Sequence, residues 1–412
     1  MRTNSIIRFA ILFLMVPVLS CRNAIPKDKP EATLTLLLRA GAYANAVKAG
    51  LSDFQTETNT FVVVKELGEE ELHRKVAESA GGADAFDLCM VDSSWMAEFT
   101  SKNVLAELDS LGFSLDDDII PATKNICYKD GHLFVAPYYG NVTVLLFNKI
   151  IVKEAGFRPD DITSIEDIEK ICKFSKKRHN LGFMYRGDTA NNIVVDFLPI
   201  LRSFGGWVVD EDNNPTIYTK EFVAALRCYI ELTKTGRSAK KDDLTAAIAN
   251  KAAAMGIGWP GWYTPTRNST MDYIALTGKR QKNSAANNAN IYGIWTLGIS
   301  QFSTEKERAA KLLSHLMDRN VQMASLGAGG VPCRYSSLRN EEYLRKYPQY
   351  AAVCDALENG VYRPVMERWN EFYAILGKHM KEIIEGDMPI RDGLLAAQRE
   401  LNEAFGTSAS PK

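Results

Sequence analysis

The chain has 412 residues, 46% of them hydrophobic, enough for two sizeable cores or one large bilobal unit. Its 49 basic and 50 acidic residues leave a formal charge of −1 with no long basic block, which argues against a nucleic-acid partner. Seven cysteines include no C-x-x-C pair, so zinc-site and thioredoxin-like chemistry lack support.

At the N-terminus, Arg2 and Arg8 accompany a nearly all-apolar run at 9–19 that is too short to span a membrane. This is the pattern of an export signal. Its ending, Val18-Leu19-Ser20-Cys21, resembles the bacterial lipoprotein signal, in which a small residue precedes a cysteine that is acylated and becomes the new N-terminus. A thiol is the nucleophile that can carry a thioether-linked lipid, so Cys21 is the expected anchor. An ordinary signal with an incidental cysteine is the alternative. Residues 22–31 are polar, with Pro26 and Pro30, and read as a tether. Among the other cysteines, Cys89 lies in a strand-like run and Cys172 and Cys228 in helical ones, where buried free thiols are expected.

Strand-like runs at 33–38, 61–66 and 86–91 alternate with helical runs at 43–56 and 69–80. Asp92-Ser93-Ser94-Trp95 then opens a helix with good N-cap residues. The alternation predicts a mostly parallel sheet flanked by helices. Gly140 and Asn141 precede a strand ending at Asn148, and Ser164 to Asp167 reads as a capping box. An amphipathic helix at 220–235 ends at Gly236. Residues 279–290 read as a polar surface loop, 291–300 as a strand, 306–317 as a helix, 327–332 as a glycine-rich turn and 341–405 as all helical.

The segment AAAMGIGWPGWYTP at 252–265 stands apart. An apolar strand ends in glycines, and Trp259, Trp262 and Tyr263 follow among Gly258, Pro260 and Gly261, which favour a turn over a helix. Aromatic rings on a loop beyond a strand end sit where open α/β sheets bind ligands. A flat ring with a polar edge suits the C–H face of a sugar; core packing is the alternative for any one ring. Gly256, Gly258 and Gly261 also satisfy G-x-G-x-x-G, but Pro260 inside the motif and Pro265 beyond it preclude the long helix that a dinucleotide site needs.

The order of these pieces resembles the extracellular solute-binding proteins of the maltose-binding type that serve sugar ABC importers. The likeness covers nearly all of the expected mature chain. It rests on FDLCMVDSSWMAEF at 86–99, VLAELD at 104–109, DGHLFVAPYYGNVTVLLFNKIIVKEAGF at 130–157, FGGWVVDEDNN at 204–214, NKAAAMGIGWPGWY at 250–263, GAGGVPCRYS at 327–336 and RPVMERW at 363–369. The resemblance implies a two-lobed periplasmic-binding-protein fold of α/β class, with a mostly parallel sheet flanked by helices in each lobe and a ligand cleft between them. It implies one lobe of 33–140 plus 290–325 and another of 141–289 plus 326–405. Crossing segments near Tyr139–Asn141 and 288–291 would act as hinges.

The resemblance also carries expected ligand contacts. Asp92 and Trp95 match a D..W loop, where an ionised carboxylate accepts from sugar hydroxyls; Asp92 as a helix cap is the alternative. Tyr138 and Tyr139 match the crossing segment, with a core role the alternative for one of them. Trp259, Trp262 and Tyr263 match a stacking platform. Gly329, Gly330 and Arg334 match a G..P.R turn, with an ion pair the alternative for Arg334. Trp369 or Tyr373 matches a late stacking aromatic. Gly41 and Asn45 lie at the first strand–helix turn.

No G-x-S-x-G, H-E-x-x-H or Walker A motif is present, and His73, His132, His179, His315 and His379 are scattered. The expectation is therefore a lipid-anchored, monomeric sugar receptor of the cell envelope that hands its ligand to an ABC permease. Neither cofactor, metal nor catalytic residue is expected. A same-fold receptor for a phosphate ester or polyamine is the main alternative, and a secreted carbohydrate-active enzyme the lesser one.

Overall fold

The structure, a computed structural model, describes residues 30–82, 86–264, 268–276, 278 and 289–407. The expected signal segment, Cys21 and most of the 279–290 loop lie outside the described residues. In chain order the strands begin with β1 (Ala32–Arg39), β2 (Thr60–Leu67) and β3 (Leu88–Asp92), then a small hairpin, β4 (Tyr128–Lys129) and β5 (His132–Leu133). They continue with β6 (Val135–Tyr139), β7 (Val144–Asn148), β8 (Leu181–Tyr185), β9 (Arg237–Ser238), β10 (Ala253–Gly258), β11 (Met271–Ala275) and β12 (Trp295–Ile299).

Two five-stranded sheets result, ordered β2-β1-β3-β12-β6 and β11-β7-β10-β8-β9. In the first, β1 runs parallel to β2 and β3, while β12 runs antiparallel to both β3 and β6. In the second, β10 and β8 run parallel, as do β8 and β9, while β7 opposes both β10 and β11. Four strands of each sheet therefore share one direction and a single strand is reversed. The expectation of mostly parallel sheets holds for strand direction but misses the reversal.

The reversal has a geometric cause. β6 ends at Tyr139, and the chain then leaves the first sheet and enters the second as β7. Val144 at the start of β7 pairs with Gly258 at the end of β10, so the entering strand begins where its neighbour finishes. β12 enters the first sheet likewise, with Trp295 opposite Asp92. Each crossing strand enters from the edge where its neighbours end, so it runs against them. The carboxyl ends of both sheets thus face the crossings, the usual place for a ligand in open α/β sheets.

Three segments cross side by side. Thr143 N donates to Ile291 O and Gly293 N to Asn141 O, at 2.9 Å each. Tyr292 N donates to Val361 O and Val361 N to Asn290 O, also at 2.9 Å. The sequence pattern places the third crossing within a helical stretch, 341–405. It is instead an extended break between the helices Tyr350–Asn359 and Trp369–Glu385. Pro364 disfavours a helix at Arg363, the residue before it.

The core divides accordingly. Leu338, Tyr350, Val353 and Leu357 pack into the cluster that holds the first sheet, whereas Trp369, Phe372, Leu394 and Leu401 pack into that of the second. The 326–405 block expected in the second lobe is thus shared between the two cores. Cys89, Cys127, Cys172, Cys228, Cys333 and Cys354 are free and buried. Among the described residues, no helix is long and apolar enough to cross a membrane.

Arg334 belongs to this framework. It is 2% exposed. Its Nη1 donates to Asp116 at 2.7 Å and to Asp118 at 3.2 Å, its Nε to Gln322 Oε1 at 2.9 Å and its Nη2 to the Met317 carbonyl at 2.6 Å. Breaking one side of a buried ion pair typically costs about 3–5 kcal/mol. Arg334→Ala is expected to lose stability on that order in urea unfolding. The surviving folded fraction should keep the binding properties of the unmodified chain.

Candidate functional site

The carboxyl ends of the strands and the crossings enclose a cleft with an inner chamber of about 70 Å³ and an outer vestibule of about 770 Å³. From the first lobe come Arg39 at the end of β1, Tyr43 in the helix Ala42–Lys48, Glu69 at the start of Glu69–Glu78, Asp92 and Trp295. The second lobe adds Arg186 just beyond β8, Asn191 and Asn192 in the first turn of Ala190–Ser203, and Trp259 and Trp262 beyond β10. The crossings supply Asn141, Gly293 and Arg363, one from each.

The electrostatics of the chamber are balanced. Arg363 donates from Nη2 to Asp92 Oδ1 and from Nε to the Tyr292 carbonyl at 3.1 Å. Arg186 grips Asp196 through Nε and Nη2 and gives Nη1 to Asn192 Oδ1 at 2.6 Å. Arg39 Nη2 lies 3.7 Å from Glu69 Oε2. Burial, then the charge of Asp92, pushes the Glu69 carboxyl above its ordinary range, opposed by Arg39, Arg363 and Arg186. Three guanidiniums therefore face three carboxylates, and each has a partner.

Several polar atoms here are left over. Arg39 Nε, Asn141 Oδ1 and Asn191 Oδ1 are buried without a hydrogen-bond partner, and so is Asn370 Oδ1 in the vestibule. A buried polar group normally finds a partner, so each of these calls for an explanation. Glu69 fixes the Asn191 amide, because Asn191 Nδ2 donates to its Oε1 at 3.2 Å and leaves Oδ1 unpaired. That bond joins the two lobes, as does the 3.0 Å contact between Asn370 Nδ2 and His73 Nε2.

The expected contacts fall into two groups. Asp92, Trp95, Trp259, Trp262 and Tyr373 line the cleft. Asp92 is also a cap: its Oδ1 accepts from Ser94 N at 2.9 Å and Ser94 Oγ at 2.8 Å, besides Arg363. Trp259 is 7% exposed and packs on Gly293, where an added Cβ would come within 2.7 Å of the ring. Trp262 is half-buried, with the Arg186 guanidinium 4.9 Å from its ring centroid. Of Trp369 and Tyr373, it is Tyr373 that reaches the vestibule. Burial, then the Glu69 charge, pushes its phenol up to about 12. Trp369 is 2% exposed and stacks on Phe372 in the core.

The structure does not bring the remaining expected residues into the cleft lining. Tyr138 is buried, with its hydroxyl donating to the Ala46 carbonyl at 2.9 Å. Tyr139 lies beneath Tyr43, at 4.5 Å between ring centroids, and donates to the Gly329 carbonyl at 2.7 Å. Gly329 and Gly330 thus act through carbonyls on Tyr139 and Tyr350. Tyr263 packs half-buried against the first core. Gly41 and Asn45 flank the first turn, but Arg39 and Tyr43 are the residues that reach inward. Arg334 sits in its own ion-pair network.

Sequence reasoning missed Arg39, Tyr43, Glu69, Asn141, Arg186, Asn191, Asn192, Trp295 and Arg363 as contacts. Arg39 and Arg186 carried a usable signal, as charged residues at the carboxyl ends of apolar strands. Arg363 was masked by the helical reading of 341–405.

Known proteins share this architecture. The model of the family described as bacterial extracellular solute-binding protein matches residues 38–323. A curated relative, the probable amino-acid ABC transporter periplasmic-binding protein y4oP of Sinorhizobium fredii, is 24% identical over 364 residues, 84% of this chain and 83% of its own length. Maltose-bound MalE3 of T. maritima superposes with a TM-score of 0.78 at 22% identity, over 90% of this chain and 100% of that one. An ABC transporter solute-binding protein from Agrobacterium radiobacter, in complex with ribitol, gives 0.78 at 21% identity, over 92% and 100%.

The two tryptophans beyond β10 should separate on truncation. Trp259→Ala removes a buried ring from a packed floor and is expected to cost about 3–5 kcal/mol in urea unfolding. Trp262→Ala, half-open to the cleft, should cost clearly less in the same assay. Equal losses would mean that both rings are core.

Proposed function

This chain belongs to the family of bacterial extracellular solute-binding proteins, and on that footing we propose that it is the receptor of an ABC importer for a neutral, polyhydroxylated solute of the sugar or sugar-alcohol class. The carrying observation is the combination of balanced charge and unpaired acceptors in the cleft. A ligand with net charge that engaged Arg363–Asp92 or Arg186–Asp196 would compete with an existing pair and leave an ion buried alone. A hydroxylated ligand leaves those pairs intact and offers O–H donors to the carbonyl oxygens of Asn141, Asn191 and Asn370. Its C–H faces suit the rings of Trp262 and Tyr373. The maltose and ribitol of the two solved relatives belong to this class, whereas the amino-acid description of the Sinorhizobium relative does not.

Capture in this reading is a clamp. Residues lining the cleft come from both lobes and from all three crossings, so a solute held there meets both walls only when the lobes are together. Its preference for that arrangement sets how far it can shift the equilibrium. The crossings are the hinge, where a few residues absorb the change in backbone angle. No catalytic step is needed: the closed receptor delivers its cargo to a permease.

The experiment is a thermal-shift and calorimetric panel. Neutral sugars and alditols form one arm, sugar phosphates and spermidine the other. A ligand held at a hundred times its Kd adds about 2.7 kcal/mol to stability. Stabilisation confined to the neutral arm is expected; stabilisation by the charged arm alone would overturn the reading.

We further propose that the mature chain begins at Cys21 and is held to the membrane by lipid on that residue. A single acyl chain gives only marginal binding, and stable anchoring takes two signals, which a diacylated cysteine supplies. Mass spectrometry of protein recovered from its native envelope should find a lipidated Cys21 at the N-terminus. Cys21→Ala should leave the chain unprocessed or soluble.

A further inference from the structure

The cleft has two compartments of unequal size and different character. The inner chamber, about 70 Å³, holds only a handful of waters, and its ions are already paired with one another. The vestibule, about 770 Å³, lies toward the upper end of the roughly 300–1,000 Å³ typical of small-molecule sites. The two adjoin, sharing Arg39, Glu69, Arg186, Asn191, Asn192 and Trp262. Recognition groups also extend outward. Trp262 stands at the junction, while Trp95, Tyr373 and the unpaired Asn370 Oδ1 belong to the vestibule alone. At its mouth, Glu70, Lys240 and Lys241 are exposed.

Given a receptor for a neutral polyhydroxylated solute, on which this step rests, we infer that the ligand is an oligosaccharide of at least two linked rings, with the hydroxylated edge of one terminal ring at the inner chamber and the next ring in the vestibule. A single ring or a short alditol that satisfies Asn141 and Asn191 sits at the junction. It leaves most of the vestibule to water and Tyr373 and Asn370 unused. A second ring fills that space and meets the Tyr373 ring and the Asn370 carbonyl. The exposed mouth lets further units extend into solvent, so affinity rises steeply from one ring to two and levels off afterwards.

Calorimetry on the complete mature chain tests this with matched series of mono-, di- and trisaccharides of glucose, galactose and mannose, and with ribitol and mannitol. In the series that binds, the disaccharide is expected to bind at least about tenfold tighter than its monomer, equivalent to ~1.4 kcal/mol. Tyr373→Ala should cost the disaccharide more affinity than the monosaccharide. The length series on the unmodified chain decides the matter even if that variant folds poorly. A monosaccharide or alditol that binds as tightly as its longer homologues overturns the inference and leaves the receptor reading standing. A panel in which no neutral sugar or alditol binds overturns both.

Discussion

The structure depends on one buried interaction between its halves, the pairing of Asp92 with Arg363. Asp92 ends β3 in the first lobe and Arg363 lies in the third crossing. Their side chains are 5% and 7% exposed. A charge so enclosed is tolerated only when its partner and further hydrogen bonds compensate the lost hydration. Here the further bonds are specific: Ser94 serves Asp92, and the Tyr292 carbonyl serves Arg363. Through Tyr292 the pair reaches the second crossing, which is bonded in turn to the first through Asn141 and Thr143. One ion pair thus registers the third crossing on the end of β3 and, through it, the ribbon that joins the lobes.

This arrangement changes what Asp92 can do. As a lone carboxylate at a strand end it reads as an acceptor for sugar hydroxyls. In the folded chain its Oδ1 already takes two donors from Ser94 and one from Arg363. It neutralises the Arg363 guanidinium, which would otherwise be a buried charge without a partner. Arg186 and Asp196 do the same on the other wall. In the proposed receptor these paired ions would disfavour charged solutes, and the acceptors left open are the neutral amides of Asn141, Asn191 and Asn370.

Much of the fold was legible in the sequence because it is local. The valine-rich run that became β2, the glycine-terminated β10 and the Asp92 cap each announce themselves within a few residues. The buried thiols of Cys89, Cys172 and Cys228 followed from their apolar neighbours, whereas those of Cys127, Cys333 and Cys354 did not. The reversed strands were not legible, since β7 and β12 have the same composition whichever way they run. Only the long-range crossing decides their direction. The site was half legible for a related reason. Rings on a Gly/Pro loop stand out, and Trp262 does face the cleft. Polar residues such as Asn141 and Asn191 look like any surface residue until the fold removes their partners. Arg334 shows the converse: its motif suggested ligand, but Asp116 and Asp118, 218 and 216 residues away in sequence, claim it.

The reversed strands and the recognition chemistry are one device. If the chain crossed far from the strand ends, the crossings would pass behind the ligand, and a solute could bind one lobe without sensing the other. Because β7 and β12 start at the cleft edge, the crossing residues that precede them, Asn141 and Gly293, form its floor. Trp259 from the second lobe then rests on Gly293, so an aromatic wall of one lobe is seated on a crossing segment. In the proposed clamp, a ligand that presses on that wall or bonds to Asn141 would act directly on the backbone of the crossings. Coupling between binding and closure would then need no relay through the lobe cores, because Asn141 and Gly293 line the cleft and belong to the same hydrogen-bonded ribbon.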